Sequence, residues 1–139
     1  MKASLMKTLD FKSEQGFTLV EIIAVLVILG ILAAVAIPKY LSVLNETTSQ
    51  SAQAAIAEIR GRLSTAQAKY IMRNSGLAPT SPTLYNYAID PNQYGGNLAN
   101  LGVDFSASVT SGTPITILVT AVKGQTVNVS GNFSATGDP

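Results

Sequence analysis

The sequence predicts an α+β chain: one very long N-terminal helix and a small C-terminal antiparallel sheet. Three observations carry that expectation. Residues 17–37 form a nearly unbroken apolar run, residues 41–73 hold apolar side chains at spacings of three and four without a proline, and residues 103–133 alternate apolar and polar with period two between Gly- and Pro-containing turns.

The apolar run is long enough to cross a membrane. Phe17 to Ile37 covers 21 residues, which at about 1.5 Å per residue gives roughly 31 Å, the thickness of a bilayer core. Glu21 is the one ionisable side chain in it. Inside a spanning helix such a group costs on the order of 2.5 to 3.5 kcal/mol, so it persists where it gains a partner. A cation in the same low-dielectric setting offsets the desolvation of both charges, and pairing them fixes an axial register between helices. Ahead of the run stand Lys2, Lys7 and Lys12 against Asp10 and Glu14, an excess of positive charge that marks the cytoplasmic end. From Phe17 onward six basic residues balance six acidic ones.

The order Gly16-Phe17-Thr18-Leu19-Val20-Glu21, then the apolar run, then Ala36-Ile37-Pro38-Lys39-Tyr40 resembles the N-terminus of type IV pilins and of type II secretion pseudopilins. The match covers about Gln15 to Tyr40, roughly a fifth of the chain. The resemblance implies a pilin-like lollipop: a long helix, membrane-spanning in its N-terminal half, packed on a small antiparallel sheet. It implies a leader, 1–16, cut by a prepilin peptidase between Gly16 and Phe17, with N-methylation of the new amine on Phe17. It further implies an assembly helix over 17–38, an amphipathic continuation over 39–75 and a head over 76–139. Glu21 would then pair with the terminal ammonium on Phe17 of a neighbouring subunit. Met6 offers an alternative start within the leader without altering Phe17 as the mature terminus.

Two other readings of the same segment exist. An ordinary secretory signal would be cut at Ala34-Val35-Ala36 and release a soluble domain from Ile37, but the run exceeds the usual apolar length of about 7 to 15 residues and leaves Glu21 without purpose. An uncut anchor, carrying a monomeric binding domain, would let Glu21 reach back to the interface. Only processing after Gly16 explains Gly16, Glu21 and Pro38 together.

Beyond the run, Ala52, Ile56, Ile59, Leu63, Ala66 and Tyr70 share one helical face, with Glu58 and Arg62 as an i, i+4 pair on the wet side. Asn74-Ser75-Gly76 and Pro79 supply the stop, so the helix exceeds fifty residues. Gly30 and Pro38 are its weak points, since glycine costs roughly 1 kcal/mol relative to alanine and proline lacks an N–H and crowds the carbonyl of Ala34. In the family this region can lose helical order under tension. After Gly76 the Pro, Gly, Asn and Ser content reads as a loop region, in which Tyr85, Tyr87 and Tyr94 serve as local core rather than as a ligand patch. Three strands follow. Val103, Phe105, Ala107 and Val109 share a face, Ile115 to Val122 is a more apolar strand, and Val127, Val129 and Phe133 interleave with Asn128, Ser130 and Asn132; Lys123-Gly124-Gln125 makes the hairpin turn.

The chain has no cysteine and no histidine. Disulfides and thiolate chemistry are therefore excluded, the commonest general base is missing, and the carboxylates show no paired spacing, so neither an enzyme nor a cofactor is expected. Arg62, Lys69 and Arg73 fall on one helical stripe, read as inter-subunit or snorkelling contacts, because no basic excess exists to drive nucleic-acid binding. The expected function is structural: a pilus-like filament subunit, with a type II secretion pseudopilin as the alternative. The partners implied by the resemblance are the chain itself, minor pilins, the prepilin peptidase/methyltransferase, an inner-membrane assembly platform and its cytoplasmic ATPase. The subunit would sit in the inner membrane with its head on the periplasmic side, then in an extracellular or periplasmic filament.

Overall fold

A computed structural model describes residues 16–139; the leader residues before Gly16 and the choice between Met1 and Met6 lie outside the described part. The elements are α1 (Leu19–Arg73), α2 (Ser81–Ile89), β1 (Phe105–Thr110), β2 (Ile115–Val122) and β3 (Gln125–Phe133). The chain divides into two compact units, Met1–Tyr40 and Leu41–Pro139. Helix α1, 55 residues long, passes through Gly30 and Pro38 without a break. It ends as its last residues predict. Ser75 and Gly76 both take positive φ, the Gly76 N–H donates to the Ile71 carbonyl at 2.9 Å, and the Asn74 side-chain amide donates to the Tyr70 carbonyl at 2.8 Å.

In the second unit, α1 buries Ala52, Ala55, Ile56, Ile59, Leu63 and Ala66. These are the helical-face residues expected from spacing, with Ala55 added and Tyr70 half-buried. They share one core with Ile115, Ile117, Val119 and Val122 of β2, which sits between β1 and β3 in an antiparallel sheet. Register places Val109 and Gly131 beside Ile117, and Phe133 beside Ile115. Strict alternation along β2 would turn Ala121 inward and Val122 outward. A bulge on each side of Thr120 shifts the register, and Val122 is buried as well as Val119. The β2–β3 turn needs only Lys123 and Gly124, at φ of 48° and 77°, the hand that matches strand twist. Val103 does not join β1: it lies before the strand and is fully exposed.

One carbonyl on each edge of the sheet is taken up by a side chain. The Arg60 Nε donates to the Asn132 carbonyl of β3 at 3.0 Å, and the Tyr85 hydroxyl donates to the Val109 carbonyl of β1 at 3.2 Å. Edge carbonyls occupied in this way are poor templates for strand addition.

The stretch read as loop contains a helix, α2. Proline content hid it, but Pro82 sits within the first turn, where a backbone N–H has no intrahelical partner to lose. Leu84, Tyr87 and Ala88, at helical spacing, are buried. Thr80, at the N-cap, makes no side-chain cap to the backbone. The cap comes instead from Asp138, which accepts the Ser81 N–H at 2.7 Å, the Ser81 hydroxyl, and the Ala135 N–H at 3.0 Å. These bonds, the Ser81 hydroxyl first, hold the Asp138 carboxyl below the usual value of 3.8. A depressed carboxyl contributes stability that is present above its unfolded pKa and lost as pH falls through the folded value. The head's melting temperature is therefore expected to drop below about pH 4, and Asp138→Asn to lower it at pH 7 and flatten that acid limb in a calorimetric pH series.

Arg62 has partners within the head. Its Nε pairs with Glu58 Oε1 at 3.0 Å, as the spacing predicts, and its Nη1 donates to the Asn100 carbonyl at 2.8 Å, fastening the 97–101 loop to α1. Lys69 lies over the Tyr94 ring, 5.0 Å from its centroid. The tyrosines act as core: Tyr87 is buried and meets Tyr70 edge to face at 5.3 Å.

Candidate assembly site

Every described side chain from Phe17 to Leu44 is exposed, including Ile22, Ile23, Val27, Ile28 and Leu29, which at about 100° per residue point to all sides of the helix. A helix that is apolar all round is stable only when something apolar covers it. The apolar surface also runs past Pro38, through Leu41, Val43 and Leu44.

The N-terminal end of this segment is set by Thr18. Its Oγ1 accepts the Glu21 N–H at 3.2 Å, and its carbonyl accepts the Ile22 N–H at 3.2 Å, so Thr18 is the N-cap and Glu21 occupies the third helical position. Gly16, Phe17, Thr18 and Glu21 line one shallow recess. The structure thus brings together the three residues expected at the processing and registry site, while Gly30 and Pro38 lie farther along α1. Among the described residues the Glu21 carboxylate makes no ion pair, and its negative charge sits in the first turn, where the positive end of the helix dipole favours it.

Thr18 is the helix-capping residue that the sequence reading missed. Its signal was present, since Thr18-Leu19-Val20-Glu21 ahead of an apolar run has the T-x-x-E spacing of a capping box. Thr18→Ala is expected to cost about 1 kcal/mol locally, seen as roughly fivefold faster amide exchange at Glu21 in micelles, while filament yield stays within about twofold of wild type.

The arrangement defines a class: a subunit held by one exposed apolar helix with a single acid at its capped start. Residues 11–37 match the Prokaryotic N-terminal methylation motif. The chain is also 37% identical over 59 residues to the Type IV narrow pilus major component PilA5 of Thermus thermophilus, an alignment covering 41% of this chain and 51% of that protein. The match therefore spans about half the length of this curated relative. No solved structure gives a significant match. Over the matched residues the chain is therefore similar to type IV pilins.

Proposed function

We propose that the chain is made as a prepilin, cut between Gly16 and Phe17, methylated on the Phe17 amine, and polymerised through α1 into a type IV pilus-like filament. The observation that carries this reading is the all-round exposure of apolar side chains from Phe17 to Leu44. Before assembly a bilayer covers them, with the head on the periplasmic side; in the filament the same helices of other copies do. Glu21 then finds its cation in the Phe17 ammonium of a neighbour, which sets the stagger between subunits. Thr18, next to the new terminus, caps the helix that starts at Leu19.

The turns between Gly30 and Pro38 are the weakest in the rod, because Pro38 removes a hydrogen bond to Ala34 and Gly30 exposes backbone. They are the place where α1 would extend under load. The peptidase, the assembly platform and its ATPase, and minor pilins enter as the machinery such a subunit needs.

The test is intact mass and N-terminal sequence of the protein from sheared surface filaments and from washed membranes. Methylated Phe17 in the sheared filaments is the expected result. The same terminus confined to membranes would move the assignment to a secretion pseudopilin, and an intact leader or a start at Ile37 would overturn the filament reading.

A further inference from the structure

Between Glu21 and Glu58 the sequence holds two charged residues, Lys39 and Glu46. Both side chains are exposed on α1, and among the described residues neither forms an ion pair. Glu46 has only the Gln50 Nε2 at 3.5 Å, one turn further on. Lys39 and Glu46 are seven residues apart, which at about 100° and 1.5 Å per residue puts them within about 20° of one helical face and about 10.5 Å apart along the axis. Side chains that meet on a helix are three or four residues apart, so these two do not pair within one chain. Between them stand Tyr40, Leu41, Val43 and Leu44, all exposed. The 21 residues from Phe17 to Ile37 already fill a bilayer core of roughly 30 Å, so lipid tails do not cover this second apolar stretch.

We propose that Lys39 of one copy pairs with Glu46 of a neighbouring copy, a second point of registry beyond the membrane-spanning part of α1. The inference rests on the filament reading for its parallel helices. In that reading Glu21 of a first copy meets the Phe17 ammonium of a second, which displaces the second copy along the axis by about four residues, or about 6 Å. The same displacement carries Lys39 of the second copy from seven residues below Glu46 of the first to three, about 4.5 Å of axial rise. The flexible four-carbon stem of lysine spans such a gap. The sense is the same at both points, with the acid on the first copy and the cation on the second, and displacement the other way would move Lys39 and Glu46 apart. A partner for this stretch must carry apolar side chains and both charges in this order and spacing, which a second copy supplies. Exposed ion pairs contribute little. Here Tyr40, Leu41, Val43 and Leu44 of both copies exclude water once the helices pack, so the pair is strengthened and either charge alone is penalised.

The test treats sheared wild-type filaments with a carbodiimide, which joins an amine to a carboxylate only where the two touch. Subunits should be linked into a covalent ladder through a Lys39–Glu46 amide, identified by peptide mass spectrometry. Lys39→Arg, which keeps the charge but offers no primary amine, should form filaments without that ladder. Lys39→Glu alone and Glu46→Lys alone should each lower the ratio of filament to membrane subunit about tenfold or more, because like charges then face each other, and the two exchanges combined should return it to within about threefold of wild type. Filaments without the link, single variants that assemble at wild-type yield, or a double exchange that stays as low as the singles would each overturn the pair and leave the filament reading in place. A wild-type chain that yields no filament would overturn the filament reading and the pair with it.

Discussion

Glu21→Ala is expected to insert into the membrane at least as well as wild type and to assemble almost no filament. Insertion improves because the variant loses a charge that costs on the order of 2.5 to 3.5 kcal/mol in a spanning helix. Assembly fails because the Phe17 ammonium of each neighbour is then buried without a counter-charge. Breaking one side of a buried pair costs about 3 to 5 kcal/mol, which is roughly a hundred- to a few-thousandfold in each association constant. The measurement is the ratio of subunit in sheared filaments to subunit in membranes. Glu21→Gln separates the two roles of this position, since it keeps size and hydrogen bonding and loses only charge. If charge pairing sets the register, Glu21→Gln behaves like Glu21→Ala, whereas Thr18→Ala, which disturbs only the cap, assembles normally. Wild-type yields from Glu21→Ala would end the registry argument.

The second large effect lies in the head, at Gly131. A Cβ built on Gly131 would stand 2.5 Å from Ile56 Cγ2 and 3.0 Å from Arg60 Nη2. Ile56 is buried and branched at Cβ, so its Cγ2 has little freedom to move aside. Gly131 does not take positive φ; it is glycine because α1 crosses β3 there and leaves no room. Gly131→Ala gains about 0.4 to 1 kcal/mol by stiffening the unfolded chain, but overpacking costs about 1 to 3 kcal/mol, and the clash wins. Gly131→Val adds two more methyl groups and loses more. The expected result is a fall of roughly 5 to 20 °C in the head's melting temperature for the larger substitution, read by near-ultraviolet dichroism, with the α1 signal in micelles retained. An unchanged melting temperature for Gly131→Val would show that α1 does not seat on β3 as described.

Local patterns carried much of the architecture. The helical face from Ala52 to Ala66, the Glu58–Arg62 pair, the stop at Asn74-Ser75-Gly76 and the alternation in β2 and β3 depend on neighbours a few residues away, and spacing reports such neighbours directly. Helix α2 was missed because Pro79 and Pro82 read as breakers, although a proline in the first turn interrupts nothing. Val103 continued the alternation of β1 on paper, yet the strand starts at Phe105 and the side chain stands in solvent.

What the sequence by itself determined is the N-terminal segment: a membrane-length apolar run, one acid at its start, and a glycine and a proline along the helix. Each is a property of consecutive residues and needs no fold to exist. The tertiary structure decided how distant residues are used. Asp138 caps a helix 57 residues away, Arg62 ties down a loop 38 residues on, and Arg60 reaches Asn132 across 72 residues. No spacing rule links such positions, because their proximity follows from how α1, the loop and the sheet pack around a shared core. The same packing turned Gly131 from an unremarked strand residue into a position with no room for a side chain, and gathered the uncharged positions of three strands onto one face.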